Sequence, residues 1–161
     1  MRLIENEERA RQLMLFNGMA RRWDLSPTNI DLFQEYCGKL YIYGEGKVRG
    51  KDLLIGQKKA FEHICESYYE PELEKIPWLS KHFAWVLIYE HDTPVKEDVI
   101  VKDQYVTDVY SSIYPEWRTP KSDDVMPKFV LGSNGRITVL EAIAQIENWC
   151  YEHNIYIGKE E

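Results

Sequence analysis

The sequence predicts an α+β domain rich in helix, with about five to six helices packed on a small mixed or antiparallel sheet. Three observations lead there. Apolar residues recur at helical spacing in three stretches, 10–23, 54–68 and 140–149. A seven-residue apolar run, FAWVLIY at 83–89, has the composition of a strand buried on both faces. Glycine, proline and asparagine separate these segments. One compact domain over 1–161, with a short charged tail at 158–161, is expected because single domains commonly run to about 100–200 residues.

Taken in order, the first helix is predicted around Ala10, Leu13, Phe16, Ala20 and Trp23, with Glu5–Arg9 and Glu7–Arg11 as acid-first i,i+4 pairs. A second helix opens at Ser26 and Pro27 and carries Ile30, Phe33 and Cys37 on one face. After Gly38, KLYIY is read as a strand that GEGKVRG breaks. A third helix follows with Leu54, Phe61, Ile64, Cys65 and Tyr68 inward, and Pro71 ends it or starts a short successor. The run at 83–89 is placed centrally in the sheet, since it would invite aggregation at an open edge. Residues 99–113 are read as a strand to about Lys102, then a helix capped by Asp103 and stopped by Pro115. Ser133-Asn134-Gly135 between β-branched runs signals a hairpin. Thr138 and Glu141 form a capping box before a last helix with Ala142, Ile146 and Trp149 on one face. NIYI at 154–157 is read as an edge strand.

With 44% apolar and 29% charged residues the composition is that of an ordinary folded domain. No apolar run approaches the ~20 residues that span a bilayer, and the N-terminus lacks the apolar core of a secretory signal. A cytoplasmic protein without membrane contact is expected. Cys37, Cys65 and Cys150 are isolated and form no CxxC pair, so they are read as buried free thiols, and no cofactor is expected. His63 and Glu66 give His-x-x-Glu once, in the reverse order of a dimetal Glu-x-x-His unit, and no metal site is assigned.

The chain carries a net charge of −7, which disfavours general nucleic-acid binding. The charge is uneven. Residues 39–59 hold six cations against Glu45 and Asp52, whereas 60–100 hold nine acids against three lysines. Within the basic stretch, GEGKVRGKD satisfies neither a Walker loop nor GxGxxG. What it offers is a glycine turn, a helix N-terminus and nearby cations, so Lys47, Arg49 and Lys51 are the candidates for holding an anion. EHD at 90–92 ends the central run with an acid–base pair but brings no nucleophile with it, and catalytic residues stay unassigned.

A helix, a second short helix, a strand, VRGKD and another helix, over about the first 65 residues, resemble the opening of NTF2-like (SnoaL-type) cone-shaped domains. The resemblance implies, as an alternative fold, a sheet that wraps a pocket. That family finishes with long antiparallel strands, where this chain has a capped helix at 138–153, and no catalytic residue carries over.

Five tryptophans and eleven tyrosines supply an aromatic excess, part of it beside acidic runs. Glu66, Tyr68, Tyr69, Glu70, Tyr114, Trp117, Asp123 and Asp124 are the side chains such a protein would present to a basic partner. The leading expectation is therefore a non-catalytic protein-binding module, comparable in size and charge to inhibitors, immunity proteins and phage-type accessory proteins. Self-association through the same aromatic surface is an allied use. The alternatives are a small-molecule or anion-binding domain or enzyme with its site near 44–51, and local nucleic-acid contact through residues 39–59.

Overall fold

The computed structural model describes residues 30–73, 75–76 and 79–158. The helix expected over 10–23, the Ser26–Pro27 cap and residues 159–161 of the tail lie outside the described residues. Within them, two α-helices pack against a four-stranded mixed sheet, which corrects the helix-rich expectation. The strands are β1 Leu32–Tyr36, β2 Leu40–Val48, β3 Phe83–His91 and β4 Tyr105–Ser111, side by side in that order. The helices are α1 Ile55–Glu66 and α2 Val139–Glu152. β1 and β4 run antiparallel to their neighbours, while β2 and β3 are parallel and joined through α1.

β3 is buried on both faces, and its side chains divide the core in two. Phe83, Trp85, Leu87 and Tyr89 pack with Ile143, Ile146, Trp149 and other residues on the α2 side. Ala84, Val86 and Ile88 pack with Phe61, Cys65 and Tyr110 on the α1 side. Both faces of the sheet are therefore covered, so it does not form the open cone that the resemblance implies. Among the described residues no helix is long and apolar enough to cross a membrane.

Several segments differ from expectation for identifiable reasons. Residues 32–36 form β1 rather than the second helix, because they pair in register with β2 from Leu32 opposite Gly44 to Tyr36 opposite Leu40. The three-residue turn between them, Cys37 to Lys39, places Cys37 and Gly38 at positive φ, and Lys39 N–H donates to Tyr36 O at 2.9 Å. Cys37 is exposed there, whereas Cys65 and Cys150 are buried. The GEG segment continues β2 to Val48 instead of breaking it. A Cβ on Gly44 would sit 3.0 Å from Leu32, and one on Gly46 would sit 2.6 Å from the Tyr89 ring. These two glycines make room for side chains; the positive φ of the segment belongs to Gly50.

Residues 105–111 form β4 instead of a helix, and the expected strand at 99–102 is replaced by a 3₁₀ turn at Val101–Asp103. A register shift explains the misleading pattern. Ile88 pairs with Asp108 and Tyr89 with Val106, leaving Thr107 as an extra residue in β4. Val106 and Val109 consequently share the α2 side although they are three positions apart. Gly132–Gly135 turns as expected, but no hairpin strands flank it; the chain beyond pairs with β4 through Val106 N–H to Ile137 O (2.9 Å). Leu54 is not inward: it caps α1 and is 73% exposed.

The capping box before α2 forms as expected, with Thr138 Oγ1 accepting from Glu141 N–H at 3.2 Å. α2 ends in a Schellman arrangement. Asn154 has φ 59°, its N–H reaches Tyr151 O, and Ile155 N–H reaches Cys150 O at 2.9 Å. Residues 154–157 are not an edge strand; Ile157 is buried in the α2-side core.

Candidate functional site

Because β2 and β3 are parallel, their C-terminal ends lie together, with Val48 opposite His91. Arg49 continues that pairing, its N–H donating to His91 O at 2.9 Å. Two residues 42 positions apart thus become neighbours at the carboxyl ends of parallel strands, where open sheets of this kind commonly bind ligands. A cleft of about 400 Å³ opens there. Arg49, His91, Asp92 and Thr93 line one part of it; Glu90, Asp103, Gln104, Tyr105 and Arg136 line the rest.

The two arginines are held differently. Arg136 is brought in by the 132–135 turn, where its N–H donates to Asn134 Oδ1 at 3.0 Å. Its guanidinium donates to Glu90 Oε1 at 2.8 Å and lies 4.1 Å above the Tyr105 ring, whose hydroxyl accepts from Asn134 Nδ2. Its side chain is 36% exposed and that of Glu90 18%. Arg49 donates to Asp92 Oδ2 at 3.2 Å, and these side chains are 62% and 65% exposed. Exposed pairs of that type contribute about 0–1 kcal/mol, so a ligand can exchange with one of the partners at little cost. His91 Nδ1 accepts from Thr93 N–H at 3.3 Å, which leaves Nε2 as the proton-bearing nitrogen of the neutral ring.

Of the expected anion-binding residues, Arg49 lines the cleft, while Lys47 and Lys51 lie outside its lining. His91 of the EHD segment lines it as well. Glu90 and Asp92 belong to the EHD segment; Asp103, Tyr105 and Arg136 carry no sequence signal that ties them to it. The cations of 39–59 do not form one patch. Lys39 and Arg49 stand at opposite ends of β2, about 30 Å apart at strand rise. Lys58 lies over the Trp117 ring, and Lys59 pairs with Glu62.

The acidic and aromatic candidates fall into two groups, and most are engaged within the molecule. Glu66 accepts from the Tyr110 hydroxyl at 3.2 Å, and Glu70 accepts from Ser80 Oγ at 2.7 Å. Tyr68 shares a hydroxyl contact with Tyr43, and Trp117 Nε1 donates to Glu62 at 2.8 Å. Tyr68, Tyr69 and Glu70 also line a small cavity at the opposite end of β3 from the cleft. Farther along, Arg118 lies 5.5 Å from the Tyr114 ring and pairs with Asp124, and Asp123 pairs with Lys128.

Burial also sets the titration of a group nearby. Glu45 on β2 is 6% exposed; Oε1 accepts from Gln57 Nε2 at 3.3 Å, and Oε2 has no hydrogen-bond partner. Its pKa is pushed up to about 7, first by burial and then by the Asp31 carboxylate. Among the described residues no group of three or more His, Cys, Asp or Glu side chains is gathered to hold a metal ion. Compared with known proteins, the chain matches no family model, no curated protein and no solved structure.

Proposed function

We propose that this domain binds a small anionic ligand in the cleft at the carboxyl ends of β2 and β3. The observation that supports it is the convergence of Arg49, His91 and Arg136 on one concave site of about 400 Å³. That volume falls in the range of small-molecule pockets, about 300–1,000 Å³. Arginine supplies the planar donor fork that carboxylates and phosphates accept. Arg136, braced by Glu90 and Tyr105, is a fixed wall, and Arg49 on its loop is the exchangeable contact. Docking of a basic protein on the acidic and aromatic surface has less support, because Glu66 and Glu70 already accept hydrogen bonds from Tyr110 and Ser80.

The test is a titration of carboxylates and phosphates followed by amide NMR. Shifts concentrated at Arg49, His91, Thr93 and Arg136, and lost in Arg49→Ala, are the expected result. Shifts spread over the surface, or unchanged in Arg49→Ala, would refute the reading.

A further inference from the structure

We propose that the cleft takes a zwitterion, a small molecule with an amine as well as a carboxylate or phosphate. Its acid group is received by Arg49 and its ammonium by Asp92 and Asp103. The inference rests on the reading of the cleft as an anion site and narrows it.

The cleft carries more acid than base. Its lining holds two arginines against three carboxylates, Glu90, Asp92 and Asp103. Arg136 and Glu90 satisfy one another at 2.8 Å and are partly buried, so neither is the group a ligand displaces. That leaves Arg49, Asp92 and Asp103. Arg49 and Asp92 meet through a single contact at 3.2 Å, both largely exposed. Asp103 is exposed at the end of its 3₁₀ turn and has no ion-pair partner among the described residues.

A simple anion that takes Arg49 from Asp92 leaves two unpaired carboxylates beside its own negative charge. A simple cation that takes Asp92 leaves Arg49 unpaired. With an acid group on Arg49, a zwitterion replaces that internal pair by two external ones: its acid on Arg49 and its ammonium shared between Asp92 and Asp103, so Arg49 keeps a counter-charge and the freed carboxylate does not face a second bare anion. The Nε2–H of His91 and the side-chain amide of Gln104 line the same cleft and supply further polar contacts for the acid group.

The experiment titrates two matched probe series against the full chain by calorimetry and amide NMR. One series is L-alanine, N-acetyl-L-alanine and L-alanine methyl ester; the other is phosphoethanolamine and ethyl phosphate. At least one free zwitterion is expected to bind tenfold or more tightly than its own masked forms, and which series does so identifies the acid group. In Asp103→Asn, with an unchanged circular dichroism spectrum and melting temperature, that preference is expected to fall at least threefold while N-acetyl-L-alanine or ethyl phosphate binds as before. If the masked acids perturb the cleft and bind as tightly as the zwitterions, the anion reading stands and this inference fails. If no probe perturbs Arg49 or Arg136, both fail.

Discussion

The two sides of the sheet enclose different kinds of core. Between the sheet and α2, Phe83, Trp85 and Trp149 meet edge to face or tilted, with ring centroids 5.4–6.2 Å apart, among aliphatic side chains. Between the sheet and α1 the core is smaller and carries polar groups at its margin. The Tyr43 and Tyr68 hydroxyls meet, Tyr110 donates to Glu66, Trp117 donates to Glu62, and Glu45 is buried with one oxygen unpaired. The α2 side therefore depends on area removed from water and should be insensitive to pH. The α1 side depends in part on ionised groups, and its contribution to stability should vary with pH.

The largest test of that contrast is Trp85→Ala. Trp85 is fully buried at the centre of β3 and its indole N–H donates to Met126 O at 3.0 Å. Truncation leaves a cavity in the α2-side core and an unpaired carbonyl, with an expected loss of about 4 kcal/mol. Urea unfolding should give the same loss at pH 5 and pH 8. A loss that changed by more than about a third between these values would mean that the α2 side is not the pH-independent one.

Glu45→Gln is the corresponding change on the α1 side, and it should stabilise. The carboxyl has a pKa of about 7 in the fold against 4.5 as an ordinary glutamate. Between those values the folded chain holds a proton that the unfolded chain has released, so stability falls as pH rises from 4.5 to 7. Above that window the penalty is constant, and below it there is none. Replacement by glutamine should therefore raise stability by about 3 kcal/mol at pH 8 and leave it nearly unchanged at pH 4. Equal effects at both pH values would show that burial of Glu45 has no electrostatic cost.

Gly46→Ala separates two explanations for the glycine-rich segment. If Gly46 serves a flexible turn, alanine is neutral or mildly stabilising. If it makes room for the Tyr89 ring, which stands 2.6 Å from the added carbon, the core must shift, at a cost of about 2 kcal/mol. The double change Gly46→Ala with Tyr89→Leu should recover part of that loss. The recovery is what distinguishes a steric clash from a change in backbone preference.

These residues also show which parts of the molecule can be read from sequence. FAWVLIY is legible because burial on both faces turns a strand into a continuous apolar run, and α2 is legible because Thr138 and Glu141 carry their own cap. β4 is not, because the extra residue Thr107 places Val106 and Val109 on one side at a spacing that imitates a helix. β1 is an edge strand with Gln34 and Glu35 exposed, so no clean alternation marks it. At the cleft, the basic segment and EHD were each visible, but their meeting depends on the parallel register of β2 and β3. Arg136 reaches Glu90 from 46 positions away through a turn whose only sequence signal was that of a hairpin.

The smallest expected effect makes the sharpest distinction on the α1 side. Trp117→Phe keeps an aromatic ring against Tyr110, now 5.0 Å away, and under Lys58, but removes the 2.8 Å hydrogen bond to Glu62. Burial pushes the Glu62 carboxyl up, yet that bond and the Lys59 ion pair outweigh it and hold the group below its ordinary value. A carboxylate lowered in the fold contributes stability that is complete above the unfolded pKa and is lost as pH falls through the folded one. The substitution should thus cost about 1 kcal/mol throughout pH 5–8 and fade only on further acidification. Glu45→Gln has the opposite dependence, since its gain grows through that same range. Measured together by urea unfolding, the two variants assign the pH response of the α1 side to separate carboxylates. A Trp117→Phe loss that persists undiminished after Glu62 has been protonated in the folded chain, its titration followed by NMR, would mean that ring packing, rather than the bond to an ionised Glu62, holds Trp117 in place.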